Sequence, residues 1–163
     1  MTEPLIVAFV GGFEGPWRVE GITAPRGEPL APAARLAVVE GPGAAEVSGR
    51  WVLRGVVEGE GEIGQAALGR PEARCAALLA LRTTPAWRDL GGDERQELDG
   101  GLTAPAVAHR RHRSLDPDGP YDTLHWFEFA PQEQGPFNEL LDALRASDAW
   151  SHVDRELDVR VIR

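Results

Sequence analysis

Four short runs, each apolar or alternating and each closed by a glycine or proline cluster, open the chain and leave it little to form but strands. They are residues 5–10, 17–23, 34–39 and 51–57. Gly11-Gly12, the segment 25–29 (PRGEP) and Gly41-Pro42-Gly43 separate them, and such clusters end an element rather than extend it. Neither glycine pair has phosphate-loop spacing, so both read as turns. The acidic, glycine-rich stretch 58–64 (EGEGEIG) reads as a mobile loop.

The second half is more regular. Residues 74–82 (RCAALLALR) fit either a helix or a buried strand, because periodicity does not settle a short apolar run. Composition favours the helix there, Ala and Leu being good helix formers. Thr84-Pro85 supplies a helix start, and residues 93–96 (DERQ) resume a helical pattern after Gly91-Gly92. Residues 105–113 and 121–129 read as paired strands around the turn 116–120 (DPDGP). Phe137, Leu140, Leu141 and Leu144 fall at i, i+3, i+4 and i+7, which puts them on one face of a helix. Pro131 and Glu133 suit its start. Leu157, Val159 and Val161 alternate with Asp158 and Arg160, the pattern of a half-buried last strand. Together these give an α+β fold with helices covering one sheet face.

Composition narrows the function classes. At 163 residues the chain fits a single domain with its own core. No apolar run approaches the ~20 residues that cross a bilayer, and no secretory signal is visible, so no membrane partner is expected. The net charge of −9 argues against nucleic acid, since binding phosphates needs a basic surface. All 17 basic residues are arginines. The single cysteine, Cys75, excludes an internal disulfide and points to the reducing cytoplasm as a buried, inert thiol.

Residues 122–131 (DTLHWFEFAP) resemble a strand motif of the chlorite dismutase family, F-L-T-W-F-E-Y-A-P. The tail is similar to that family's closing helix and strand, through Phe137, Leu140, Leu144, Trp150 and Val153-Asp154-Arg155. Further matches are residues 51–56 (WVLRGV), 68–73 (LGRPEA), Trp87, 93–95 (DER) and 105–108 (PAVA), all in the family's order. The short length resembles the dimeric branch. The resemblance implies ferredoxin-like βαββαβ units forming a dimeric α+β barrel, and hence a homodimer. It makes 1–163 one domain, with a degenerate N-terminal half over 1–58 and a well-matched C-terminal half over 68–163. It also turns residues 74–82 from helix to strand. Family members bind haem b through a proximal histidine, with an arginine over the distal face. They convert chlorite to chloride and dioxygen, or decarboxylate coproporphyrin precursors.

The departures gather around that cofactor. The interval 96–104 (QELDGGLTA), where relatives carry the proximal histidine, is shortened and has none. His109 stands where the distal arginine belongs, and a second shortening falls between Val56 and Leu68. Without an axial ligand, iron loses affinity and electronic tuning. If the strands flanking the 116–120 turn pair in the right register, His109, Arg111, His125 and Phe127 share one face, taken as the cavity face. His109 and His125 would then hold a transition metal or act as acid and base, with Arg111 as an anion contact. His112 should point the other way, towards the surface, and His152 should be structural or solvent-facing. The Arg110, Arg111 and Arg113 cluster reads as bridging to acidic helix faces. Glu128 reads as structural, and Trp87 and Trp150 as packing on the sheet.

Three functions stay open. The first is an oxidoreductase-type enzyme acting on a small ligand in the barrel cavity without standard haem ligation, through His109, Arg111 and His125. The second is a haem b protein with His109 as the substitute axial ligand. The third is a non-catalytic binding or structural homologue.

Overall fold

In the computed structural model, which describes residues 4–60, 66–88, 106–116 and 118–163, the four early runs are strands: β1 (Ile6–Gly12), β2 (Trp17–Arg26), β3 (Arg35–Glu40) and β4 (Trp51–Glu60). The second half adds β5 (Cys75–Thr83), β6 (Ala108–Ser114), β7 (Thr123–Phe129) and β8 (Val153–Ile162). A short helix, α1 (Pro85–Arg88), follows β5, and α2 (Gln134–Arg145) lies between β7 and β8. The strands close a barrel in the order β1-β3-β2-β8-β5-β7-β6-β4, with β4 returning to β1 through antiparallel pairing. Closure leaves no strand edge for another chain to extend.

The order contains one pattern twice. Strands run β4-β1-β3-β2 in one half and β8-β5-β7-β6 in the other, the ferredoxin-like arrangement, and the halves join at β2–β8 and β4–β6. In the second half α2 packs across the outer face of the sheet. In the first half residues 13–16 link β1 directly to β2, and only a 3-10 turn at Pro42–Ala45 stands between β3 and β4. Residues 93–96 and most of the 58–64 stretch lie outside the described residues, although β4 itself runs on to Glu60.

Burial explains why β5 is a strand despite its helix-forming composition. Every residue from Cys75 to Leu81 is at most 6% exposed. Ala76, Leu78 and Ala80 face the lumen with Phe9, Trp126 and Val159. Ala77, Leu79 and Leu81 face outward against Phe137, Leu141 and Trp150. A chain buried on both faces has no polar side to show, so tertiary packing overrides local propensity. Phe137, Leu141 and Leu144 are the buried face of α2, as their spacing requires. Each such side chain contributes about 1.5–3 kcal/mol relative to exposure.

Strand β8 differs from the half-buried expectation. Glu156 is 1% and Asp158 5% exposed, because α2 covers their face of the barrel. Arg145 of α2 donates to both carboxylates, and Arg160 donates to Asp158 from Nε at 2.7 Å. The alternation was real, but its polar positions are neutralised under a helix rather than solvated.

Gly11 is not a simple turn residue; it lies within β1, beneath the Trp51 ring. A Cβ there would sit 2.2 Å from Trp51 Cε2, and the indole is held by its Nε1–H bond to the Ala31 carbonyl at 3.0 Å. Gly11→Ala must therefore displace a wall of the lumen, at a cost of about 1–3 kcal/mol. A thermal melt of the variant checks this; an unchanged midpoint would show that the indole moves freely.

Candidate site on the outer face of β6 and β7

Register decides which side chains meet. His109 pairs with Phe127 and Arg111 with His125 across β6 and β7, so all four share one face. That face is the outside of the barrel, continuous with the core under α2, and not the lumen. His109 Nε2 lies 2.9 Å from His125 Nδ1, and the rings stack 5.1 Å apart at 22°. His109 also stacks on Phe127 at 4.5 Å and 8°. At 2.9 Å one imidazole must donate and the other accept, so the pair shares a single proton along that line.

Both rings are neutral near pH 7. Burial, with Arg111 and His112 adding to it, lowers His109 from 6.5 to about 4. Burial likewise holds His125, 2% exposed, well below the usual histidine range, with His109, Arg111 and His112 contributing. Arg111 approaches Glu58 at 3.9 Å, and Arg113 Nε lies 3.2 Å from the other oxygen of the same carboxylate. Among the described residues, the arginines of this face thus bridge to a strand of the first half.

The residues between them turn inward, which corrects the surface reading of His112. It is fully buried in the lumen, edge-on to Phe9 at 5.1 Å and 89°. Its Nδ1 is 2.9 Å from the Leu124 carbonyl, which only accepts, so Nδ1 carries the proton. Nε2 then accepts from Arg110 Nε at 2.9 Å, while Arg110 Nη1 donates to Glu40 at 2.6 Å. Burial lowers His112 to about 4 as well. Sequence spacing gave no hint of this chain. The available signal was alternation: on a closed barrel, sending His109 and Arg111 outward sends Arg110 and His112 in.

Other assignments fall where expected. Glu128 accepts from Trp126 Nε1 and from the Gly69 amide, both at 2.8 Å, a wall-building role. Cys75 is buried, and burial raises its thiol pKa, which keeps it protonated and unreactive. Trp150 packs in the core beneath α2 with Trp87 at its edge, and His152 lies against Trp87 with ring centres 5.7 Å apart. Among the described residues no three His, Cys, Asp or Glu side chains converge to hold a metal. No helix among them is long and apolar enough to cross a membrane.

The dimeric chlorite dismutase of Nitrobacter winogradskyi has this fold at a TM-score of 0.81, with 33% identity over 96% of this chain and 99% of that one. The chain belongs to the chlorite dismutase family. Chlorite dismutase from Candidatus Nitrospira defluvii shares the fold at a TM-score of 0.59 and 14% identity, over 99% of this chain and 92% of that one. No protein-family model matches, and no curated protein matches significantly.

The family's haem b asks for an axial nitrogen, and the chain has four histidines to offer. His112 is enclosed in the lumen with both ring nitrogens engaged. His152 lies against Trp87 of α1. His109 and His125 are on the outer face, but the nitrogens that face each other are spent on their mutual bond. The interval 96–104 contains no histidine and lies outside the described residues.

Proposed function

We propose that this chlorite dismutase-family chain is an enzyme that has exchanged iron chemistry for proton transfer, acting on a small anionic substrate at His109, His125 and Arg111. The observation that carries this reading is the 2.9 Å bond between two neutral imidazoles beside an arginine. His125, buried, orients His109 as the third group of a triad orients its base. His109 exchanges the proton with substrate, and Arg111 draws the anion in.

The low basicity of His109 supports an anion over a neutral substrate. A base with a pKa of about 4 is a weak proton acceptor at pH 7. Part of that depression comes from Arg111, so an anion seated against the guanidinium raises His109 towards its working range. Substrate binding and base activation then become one event. In this reading the site lies on the outer face of the barrel, in place of the lumen expected from sequence. A single transition metal held by His109 and His125 alone falls short of the three protein ligands of ordinary catalytic sites.

This reading includes the absence of an axial histidine for haem iron. Haem titration of the purified protein is expected to give no histidine-ligated Soret spectrum, before or after His109→Ala. No dioxygen should evolve from chlorite. A Soret band that His109→Ala abolishes would transfer the case to a haem protein with His109 as axial ligand. Unchanged binding of small oxyanions in His109→Ala and Arg111→Ala would leave only the non-catalytic reading. The chain is further proposed to be a cytoplasmic homodimer, like the dimeric Nitrobacter protein it resembles; light scattering should give twice 17.7 kDa.

A further inference from the structure

A cavity of about 380 Å³ opens at the end of the barrel where β3 and β7 finish and β6 begins, on the opposite side of the β6 backbone from His109. It is lined by Arg110, Arg163, Glu40, Glu128, Trp17 and Trp126. Nothing in the proposed proton-transfer site uses these groups.

Arg110 is the key to it. The side chain is only 4% exposed, and its guanidinium is fixed from below by His112 and from the rim by Glu40. Taking a guanidinium into the lumen carries a desolvation penalty, and an apolar side chain of similar volume would pack there without it. The His112 tautomer, set by the Leu124 carbonyl, presents a lone pair to Arg110 Nε and holds the guanidinium plane. A buried cation oriented by a neutral second group at the head of a cavity is how an anion site is preorganised.

The two carboxylates are not equivalent. Glu128 is nearly buried and already accepts two N–H bonds, so its charge belongs to the wall. Glu40 is 50% exposed at the rim and can swing into water. Arg163 also lines the cavity, its guanidinium 4.5 Å above the Trp17 ring. The indoles of Trp17 and Trp126, 5.4 Å apart, give the floor an aromatic surface.

We infer that this cavity binds a small organic monocarboxylate with a compact or flat apolar body, its carboxylate replacing Glu40 on Arg110 and its body resting on the tryptophans. Glu40 is then a resident competitor that keeps the empty site neutral. Removing its charge must tighten binding, the opposite of what losing a merely structural ion pair would do.

Benzoate is the probe, with benzamide as its neutral counterpart, followed by tryptophan fluorescence and calorimetry. Saturable benzoate binding is expected, with benzamide at least tenfold weaker. Glu40→Gln should bind benzoate several-fold more tightly, Arg110→Met at least tenfold more weakly, and His109→Ala as the unmodified protein does. If Arg110→Met does not fold, Glu40→Gln still decides. No saturable benzoate binding at millimolar concentration, equal binding of benzamide, or a Glu40→Gln protein that binds no better than the original would each overturn the inference. Loss of benzoate binding in His109→Ala would place the ligand on the outer face instead.

Discussion

Replacing Arg145 with alanine is expected to remove about 3–5 kcal/mol of folding stability, the cost of leaving a buried carboxylate without its cation. Arg145 reaches from α2 over the barrel wall and donates from Nε to Glu156 at 2.9 and 3.2 Å, and from Nη2 to Asp158 at 3.0 Å. Asp158 keeps Arg160 after the substitution, but Glu156, 1% exposed, keeps no side-chain partner among the described residues. The loss should appear as a large drop in urea midpoint with little change in slope. Arg145→Met combined with Glu156→Gln is expected to recover much of it, because the uncompensated charge is gone. A single Arg145→Ala costing under about 1 kcal/mol, the range of exposed pairs, would mean that the cluster is solvated in solution.

Why that cluster escaped sequence reading says what such reading can reach. Alternation in residues 157–161 located the second half of β8 and its two faces. It could not reveal that the polar face would lie under α2, since that depends on where a helix begun at Gln134 packs. The same limit applied to residues 74–82. The periodicity of Ala-Ala-Leu-Leu-Ala-Leu fits a helix and a doubly buried strand alike, composition leaned to the helix, and only the family resemblance, now matched by β5, chose the strand. The duplicated strand order is invisible locally, because each half closes on its partner through the distant pairs β2–β8 and β4–β6.

The site was legible in part for the opposite reason. A tight turn at Asp116–Pro120 limits the register of β6 and β7 to few choices, and one of them puts His109, Arg111, His125 and Phe127 together. Sequence could not say which side of the sheet is inside a barrel. His109 and His125 therefore went to the cavity and His112 to the surface, and the structure exchanges the two placements. Closure also explains why Arg110 and Glu40 meet although they lie on different halves of the chain. β3 and β6 both border strands adjoining the β1–β4 seam, and their ends converge at one mouth of the barrel.

Those inward and outward histidines set the second large effect, a loss of stability in mild acid. His109 and His112 are each lowered from 6.5 to about 4, and burial also holds His125 well below the usual histidine range. Between pH 6.5 and about 4 the unfolded chain binds these protons and the folded chain does not. Stability therefore rises with pH through this window and falls as the solution is acidified. The His109 and His112 shifts each correspond to on the order of 3 kcal/mol, with His109 and His125 counted as one coupled pair. Two such contributions compare with the 5–15 kcal/mol that typically holds a domain together. In the lumen the cause is concrete. A proton on His112 Nε2 would face the Arg110 Nε–H head-on, with only half-exposed Glu40 nearby to offset two cations. The thermal midpoint should fall steeply as pH is lowered from 6.5 towards 4. His112→Gln, which can still accept from Arg110, should start less stable at pH 7 and fall less steeply. A wild-type midpoint that stays level across that window, or a His112→Gln slope equal to wild type, would show that the imidazoles reach solvent and that the lumen is not sealed around His112.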